Sequence, residues 1–176
     1  MAEPDRAASG VQPSHHFNTQ MNFDKIPWSI AEGIDEGMPV ITRFRNFDQS
    51  FPRSRYPKRL NIFWKFSNPK DNGLPSPEDS VQAEAFEDRL VEAVENDNHS
   101  ILSMVLTGKG QREYVFHTSN ANEFLQRLTA MPQEQDRYPI EINSFEDVDW
   151  NYDGSVLGDI SSGAVLAPRQ RRRDGT

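Results

Sequence analysis

Apolar and polar residues alternate most strongly from Leu60 to Ser67, with Leu60, Ile62, Trp64 and Phe66 on one side and Asn61, Phe63, Lys65 and Ser67 on the other. A period of two predicts a strand, and one wholly apolar side predicts a covered face. The stretch from Ile101 to Thr118 carries two more strand-like runs around Thr107-Gly108-Lys109-Gly110-Gln111. Its two glycines accept the positive φ of a tight turn, so it reads as a β-hairpin. Between these strands Ala83, Phe86, Leu90, Ala93 and Val94 recur at helical spacing. Ser76 as N-cap, Pro77 at the first helical position and Glu78 and Asp79 in the first turn mark where that helix starts. Asn120 opens a second helix, with Glu123 three residues on, a stripe of Ala121, Phe124, Leu125 and Leu128, and Pro132 as its stop. A last strand is predicted over Tyr138 to Asn143, with Ile140 and Ile142 facing inward.

The order strand, helix, hairpin, helix, strand is that of a ferredoxin-like, split βαβ fold of the α+β class: one antiparallel sheet with two helices on one face. In Val40 to Arg45 the positions Val40, Thr42 and Phe44 oppose Ile41, Arg43 and Arg45, which adds an N-terminal edge strand begun by Pro39. Phe63, Lys65, Glu113, Val115 and His117 are then expected on the uncovered face of the sheet. Residues 1–21 lack periodicity and read as a disordered tail holding His15 and His16. Residues 22–153 make one domain, and 154–176 a second disordered tail with a basic end, Pro168-Arg169-Gln170-Arg171-Arg172-Arg173.

Composition narrows the function classes. The chain has 176 residues, 35% of them apolar, and a net charge of -8. That balance disfavours nucleic acid as the main partner, since affinity for it comes from Lys and Arg neutralising phosphates. Without cysteine there is no disulfide, thiolate metal site or cysteine nucleophile. No window approaches the roughly 18 apolar residues of a membrane span, and the start of the chain has no signal-peptide pattern. The expectation is a soluble cytoplasmic protein that needs no cofactor.

Several motifs carry a family resemblance: Trp28; the Gly37-Met38-Pro39 turn with Arg43 and Asn46 after it; Gly110-Gln111-Arg112-Glu113 at the hairpin exit; and the closing Glu146-Asp147-Val148-Asp149-Trp150. In these the chain from Trp28 to Trp150 resembles the bacterial domain-of-unknown-function family numbered six-nine-five, which often has proline where Val148 stands. The resemblance implies no catalytic residues. In architecture alone the chain also looks distantly like the regulator of ribonuclease activity B, a small acidic protein that binds an enzyme.

Four groups of residues are candidates for chemistry. Asp149-Trp150-Asn151-Tyr152-Asp153-Gly154 fits the start of a calcium loop, with Asp149, Asn151 and Asp153 as oxygen ligands. The twelfth position, where a bidentate acid belongs, holds Ile160, with Asp159 one place early, so an Asx-rich turn is the favoured reading. Arg43, Arg45, Arg53, Arg55, Lys58, Arg59 and Lys65, mixed with Phe44, Phe51 and Tyr56, have the composition of a single-strand nucleic-acid surface. The helix stretch from Glu78 to Asp97, however, sets eight acids against the single Arg89 and offers an internal counter-charge. Glu113 and His117, on one side of the strand with Val115 between them, are an acid and a base without a nucleophile beside them and read as a surface pair. Arg112 is expected to pin a loop carboxylate such as Asp147, beside a buried Trp150.

The function these features favour is a non-enzymatic binding or regulatory module that meets a protein partner through the acidic helix or the open sheet face. A small-ligand site or enzyme using Arg43, Arg112, Glu113 and His117 at the sheet edge is the competing class, and RNA binding through the basic loop the third.

Overall fold

The computed structural model describes residues 20–133, 137–162 and 166–170, with Ser162 and the last five described by backbone alone. The two histidines at 15 and 16, most of the N-terminal tail and the end of the basic run lie outside these residues. In chain order the elements are β1 (Trp28–Asp35), β2 (Met38–Arg45), β3 (Lys58–Lys65), α1 (Pro77–Glu95), β4 (Ser100–Gly108), β5 (Gln111–Thr118), α2 (Ala121–Ala130), β6 (Ile140–Glu146), α3 (Asn151–Ser162) and β7 (Leu166–Gln170). Six strands form an antiparallel sheet in the order β6-β3-β5-β4-β2-β1, and β7 pairs along the outer side of β1. No helix among the described residues is long and apolar enough to cross a membrane.

Local chemistry accounts for the ends of these elements. The Ser76 hydroxyl accepts the Asp79 amide at 3.1 Å and the Asn120 side chain accepts the Glu123 amide at 3.1 Å, so each helix starts on a capping side chain. The β4–β5 turn puts Lys109 and Gly110 at φ +52° and +78°, the pair of positive values that a two-residue hairpin needs to match strand twist. Glu36 and Gly37 do the same between β1 and β2, at +50° and +81°. Gly73, on the loop before α1, sits against the β4–β5 turn. Its carbonyl accepts the Gly110 amide at 2.8 Å, and a Cβ there would come within 2.9 Å of the Lys109 nitrogen.

The apolar side of β3 lies under both α1 and α2. Leu60, Ile62, Trp64, Tyr114 and Phe116 of the sheet form one buried cluster with Ala83, Phe86, Leu90 and Val94 of α1 and Phe124 and Leu128 of α2. The expected N-terminal edge strand is instead interior: β2 is flanked by β4 and by β1, a strand absent from the sequence reading. Pro39 is tolerated because β2 pairs with β4 only from Ile41 to Phe44.

The largest departure concerns the second face. Residues 151–162 are helical, where the sequence reading has an Asx-rich turn and the start of a disordered tail. Tyr152, Val156, Leu157 and Ile160 of this helix pack on Ala31, Phe44, Met104, Leu106 and Val115. The far side of the sheet is therefore covered over β5, β4, β2 and β1. Phe63 and Lys65 of β3 are not among the residues on which α3 packs.

Candidate functional sites

The C-terminal corner, where β6 turns into α3, is organised by Asp147. Its carboxylate accepts the Asn151 amide at 2.7 Å and the Tyr152 amide at 3.2 Å, capping the new helix. Arg59 holds the same carboxylate at 2.8 Å while lying over the rings of Phe145 and Tyr152. The arginine that pins Asp147 is thus Arg59, not Arg112. Arg112 is on the side of the sheet covered by α1 and α2, where its Nε donates to the Thr107 hydroxyl at 3.1 Å.

Trp150 turns the chain into α3 at φ +56°. A bulky residue in the left-handed region is strained by about 1–3 kcal/mol, and such strain persists only where neighbours over-determine it. Here they do: the indole Nε1 donates to the Tyr56 carbonyl at 3.1 Å, and the ring stacks on the His117 imidazole with centroids 3.8 Å apart and planes 10° from parallel. Phe47 and Phe51 pack on the indole as well, and Arg53 lies 5.6 Å above its centroid.

His117 is fully buried rather than a surface group, and its Nε2 meets the Asp153 carboxylate at 2.8 Å. An ionised carboxylate only accepts, so the proton sits on Nε2; Nδ1 is left without a hydrogen-bond partner. Glu113, on the same face of β5, takes hydrogen bonds from the Asn61 amide and, at 2.7 Å, from the Tyr152 hydroxyl. Burial first, and then the Glu113 carboxylate, push the Tyr152 pKa up. Glu113 and His117 thus share a side and each is engaged by α3, with His117 fully buried and Glu113 half-buried. Arg43 and Arg112 lie on the other side of the sheet, near the Tyr114 hydroxyl. The four do not converge on one pocket, because strand alternation sends them to opposite faces.

The same helix replaces the calcium loop. Asn151 and Asp153 are wound into α3, Asp153 is engaged by His117, and no cluster of metal-binding side chains occurs among the described residues.

Arg43 and Arg45 point at α1. Arg43 pairs with Glu87, and Arg45 pairs with Glu95 at 3.0 Å while donating to the Leu102 carbonyl at 3.0 Å. Both guanidinium groups lie over Trp28, at 4.6 and 4.7 Å from its ring centroid. Burial pushes the Glu95 carboxyl up, against the pull of Arg45 and the Leu102 amide. Lys58 pairs with Glu146 and Lys65 with Glu141 across the exposed β3–β6 edge. Most of the basic cluster is therefore internal counter-charge.

Four of the eight acids from Glu78 to Asp97 are used inside the fold. Glu87 and Glu95 meet those arginines, Asp97 meets Arg127 at 2.7 Å, and Asp79 accepts from Ser67, Asn68 and Ser76. Glu84, Asp88 and Glu92 are exposed at spacings of four along the outer side of α1, beside Val81, which is 67% exposed. Among the described residues no cation pairs with these three.

Beside Trp150 is a cavity of about 360 Å³ between β2, β4 and α3. Phe44, Phe47, Met104, Trp150 and Leu157 line it with apolar groups, and Arg45, Asn46, Arg53, Ser103, Asp149 and Asp153 supply polar ones. Arg53, Asp153 and the cavity were invisible as a unit in the sequence. One signal was readable: Tyr152, Val156 and Ile160 recur every fourth residue, as a helix stripe does.

No curated protein and no solved structure matches the chain. A family model does match, over residues 27–153, which is more than half of the chain and spans every element from β1 to the first turn of α3. The chain therefore belongs to the family of unknown function DUF695.

Proposed function

We propose that this protein is a non-enzymatic binding module whose outer α1 surface meets a basic patch on a protein partner. We also read β3-α1-β4-β5-α2-β6 as a ferredoxin-like unit, a reading supported by the strand order β6-β3-β5-β4 with antiparallel neighbours. The observation that carries the functional reading is the division of the α1 acids. The inward ones are neutralised within the chain, while Glu84, Asp88 and Glu92 form an uncompensated ridge. Like charges four residues apart on a helix repel and lower its stability, so the fold alone has no use for them. Complementary charge raises association rates and excludes wrong partners, which is the use a ridge of one sign has. The engagement of Arg43, Arg45 and Arg59 inside the fold counts against RNA binding through the basic loop.

The test is capture from lysate of the source cell with wild type and with the triple variant Glu84→Gln, Asp88→Asn, Glu92→Gln. A protein retained by wild type at low salt, released as salt rises and lost with the variant is the expected result. Retention unchanged by the variant, or no retained protein at any salt, rejects the reading.

A further inference from the structure

We propose that the cavity beside Trp150 binds a free α-amino acid with an apolar side chain, its carboxylate on Arg53 and its ammonium on Asp149. This inference does not rest on the acidic ridge of α1. Its first support is the cavity itself: about 360 Å³, lined by apolar and polar side chains in similar number, is within the size range of a small-molecule site.

The second support is which polar groups remain available. The Asn46 amide donates to the Pro27 carbonyl and, at 2.8 Å, to the Ser29 hydroxyl. The Ser103 hydroxyl donates to the Val115 carbonyl at 3.2 Å, Asp153 is engaged by His117, and Arg45, which also lines the cavity, is held by Glu95 and the Leu102 carbonyl. That leaves two charges of opposite sign. Arg53 gives one N–H to the Asp48 carbonyl at 3.3 Å, is near enough to the Asp48 carboxylate to help lower its pKa, and otherwise rests on the Phe47 and Trp150 rings, with no direct ion pair among the described residues. Asp149 is exposed and makes no ion pair with Arg53 or with any other described cation. A pure anion would meet Asp149 and Asp153, and a pure cation would meet Arg53. A zwitterion satisfies both, and an apolar side chain matches Phe44, Met104 and Leu157.

The third support is the strain at Trp150. Trp150, at φ +56°, stacks its indole on His117 and lines the cavity together with Asp149, one residue earlier. Strain of this kind is concentrated at ligand clamps.

Isothermal titration of the full chain with L-leucine and L-phenylalanine, each compared with its N-acetyl and its amide derivative, tests the proposal. Saturable binding of a free amino acid, weakened at least about tenfold by blocking either end, is expected. Arg53→Met and Asp149→Asn should each weaken binding by a similar factor when titrated well below their melting temperatures, where circular dichroism shows each variant folded. Blocked forms that bind as well as the free amino acid, or no saturable heat from either amino acid at millimolar concentration, overturn it.

Discussion

Trp150 illustrates how a single residue can be strained and still stabilise its surroundings. Its left-handed backbone is unfavourable, yet the ring fills the space between His117, Phe47 and Phe51 and is only 3% exposed. Replacing a buried aromatic side chain by alanine costs about 3–5 kcal/mol, so Trp150→Ala should lower the urea midpoint by a corresponding amount. An unchanged midpoint would show that the indole contributes nothing to the corner. Asp79 makes a second prediction at this scale. Burial raises a carboxyl pKa, but the Ser67 and Asn68 amides and the Ser76 and Ser67 hydroxyls outweigh it and hold Asp79 below its ordinary 3.8. A depressed folded pKa means stability that is fully present above the unfolded value and is lost as pH falls through the folded one. Asp79→Asn should therefore be less stable than wild type by about 1.5–3 kcal/mol at neutral pH, the worth of hydrogen bonds to a charged group. Stability curves measured from neutral pH down to pH 2 should converge as wild-type Asp79 protonates.

Among the elements, α3 decides which surfaces the molecule presents. It is a weak helix by composition: Gly154, Gly158 and several Ser, Asp and Asn residues lower its propensity, and twelve residues are marginal in isolation. Its stability comes from the sheet beneath it, through Asp147, the Tyr152–Glu113 and Asp153–His117 hydrogen bonds and the apolar contacts of Val156 and Leu157. A chain ending at Trp150 would uncover Ala31, Phe44, Met104 and Val115, and should bind the dye ANS strongly where the full chain does not. This also explains what was legible in the sequence. Leu60 to Phe66, the hairpin and the two capped helices were readable because period and end signals agree there. β1 was missed because Trp28, Glu32 and Gly33 break its alternation, and its pairing with β2 supplies what its own pattern lacks. α3 was missed because Asx and Gly residues at its start imitate a loop. The site was least readable of all: Asp147 with Arg59 and Asp153 with His117 are 88 and 36 residues apart, and only tertiary structure brings them together.

At the scale of the whole molecule, the charge of -8 is unevenly distributed. Arg43, Arg45, Arg59 and Arg127 are neutralised by acids within the fold, which concentrates the excess on surfaces such as the outer side of α1. Neutralising Glu84, Asp88 and Glu92 together removes two like-charge pairs, each unfavourable by about 0.2–0.5 kcal/mol. The triple variant used to test partner binding should accordingly melt at or slightly above the wild-type temperature, so that a lost partner could not be blamed on unfolding; a drop of several degrees would assign those acids a structural role instead.

The contact between Gly73 and the β4–β5 turn reaches further than its size suggests. A hairpin tip ordinarily frays and exchanges its amide protons with solvent within moments, but here the Gly110 proton is held by a carbonyl from the loop that launches α1. In deuterium exchange, that amide should be retained about as long as those of the central strands. Gly73→Ala, by forcing the loop away from the Lys109 backbone, should release it first and leave the rest of the sheet's exchange pattern in place.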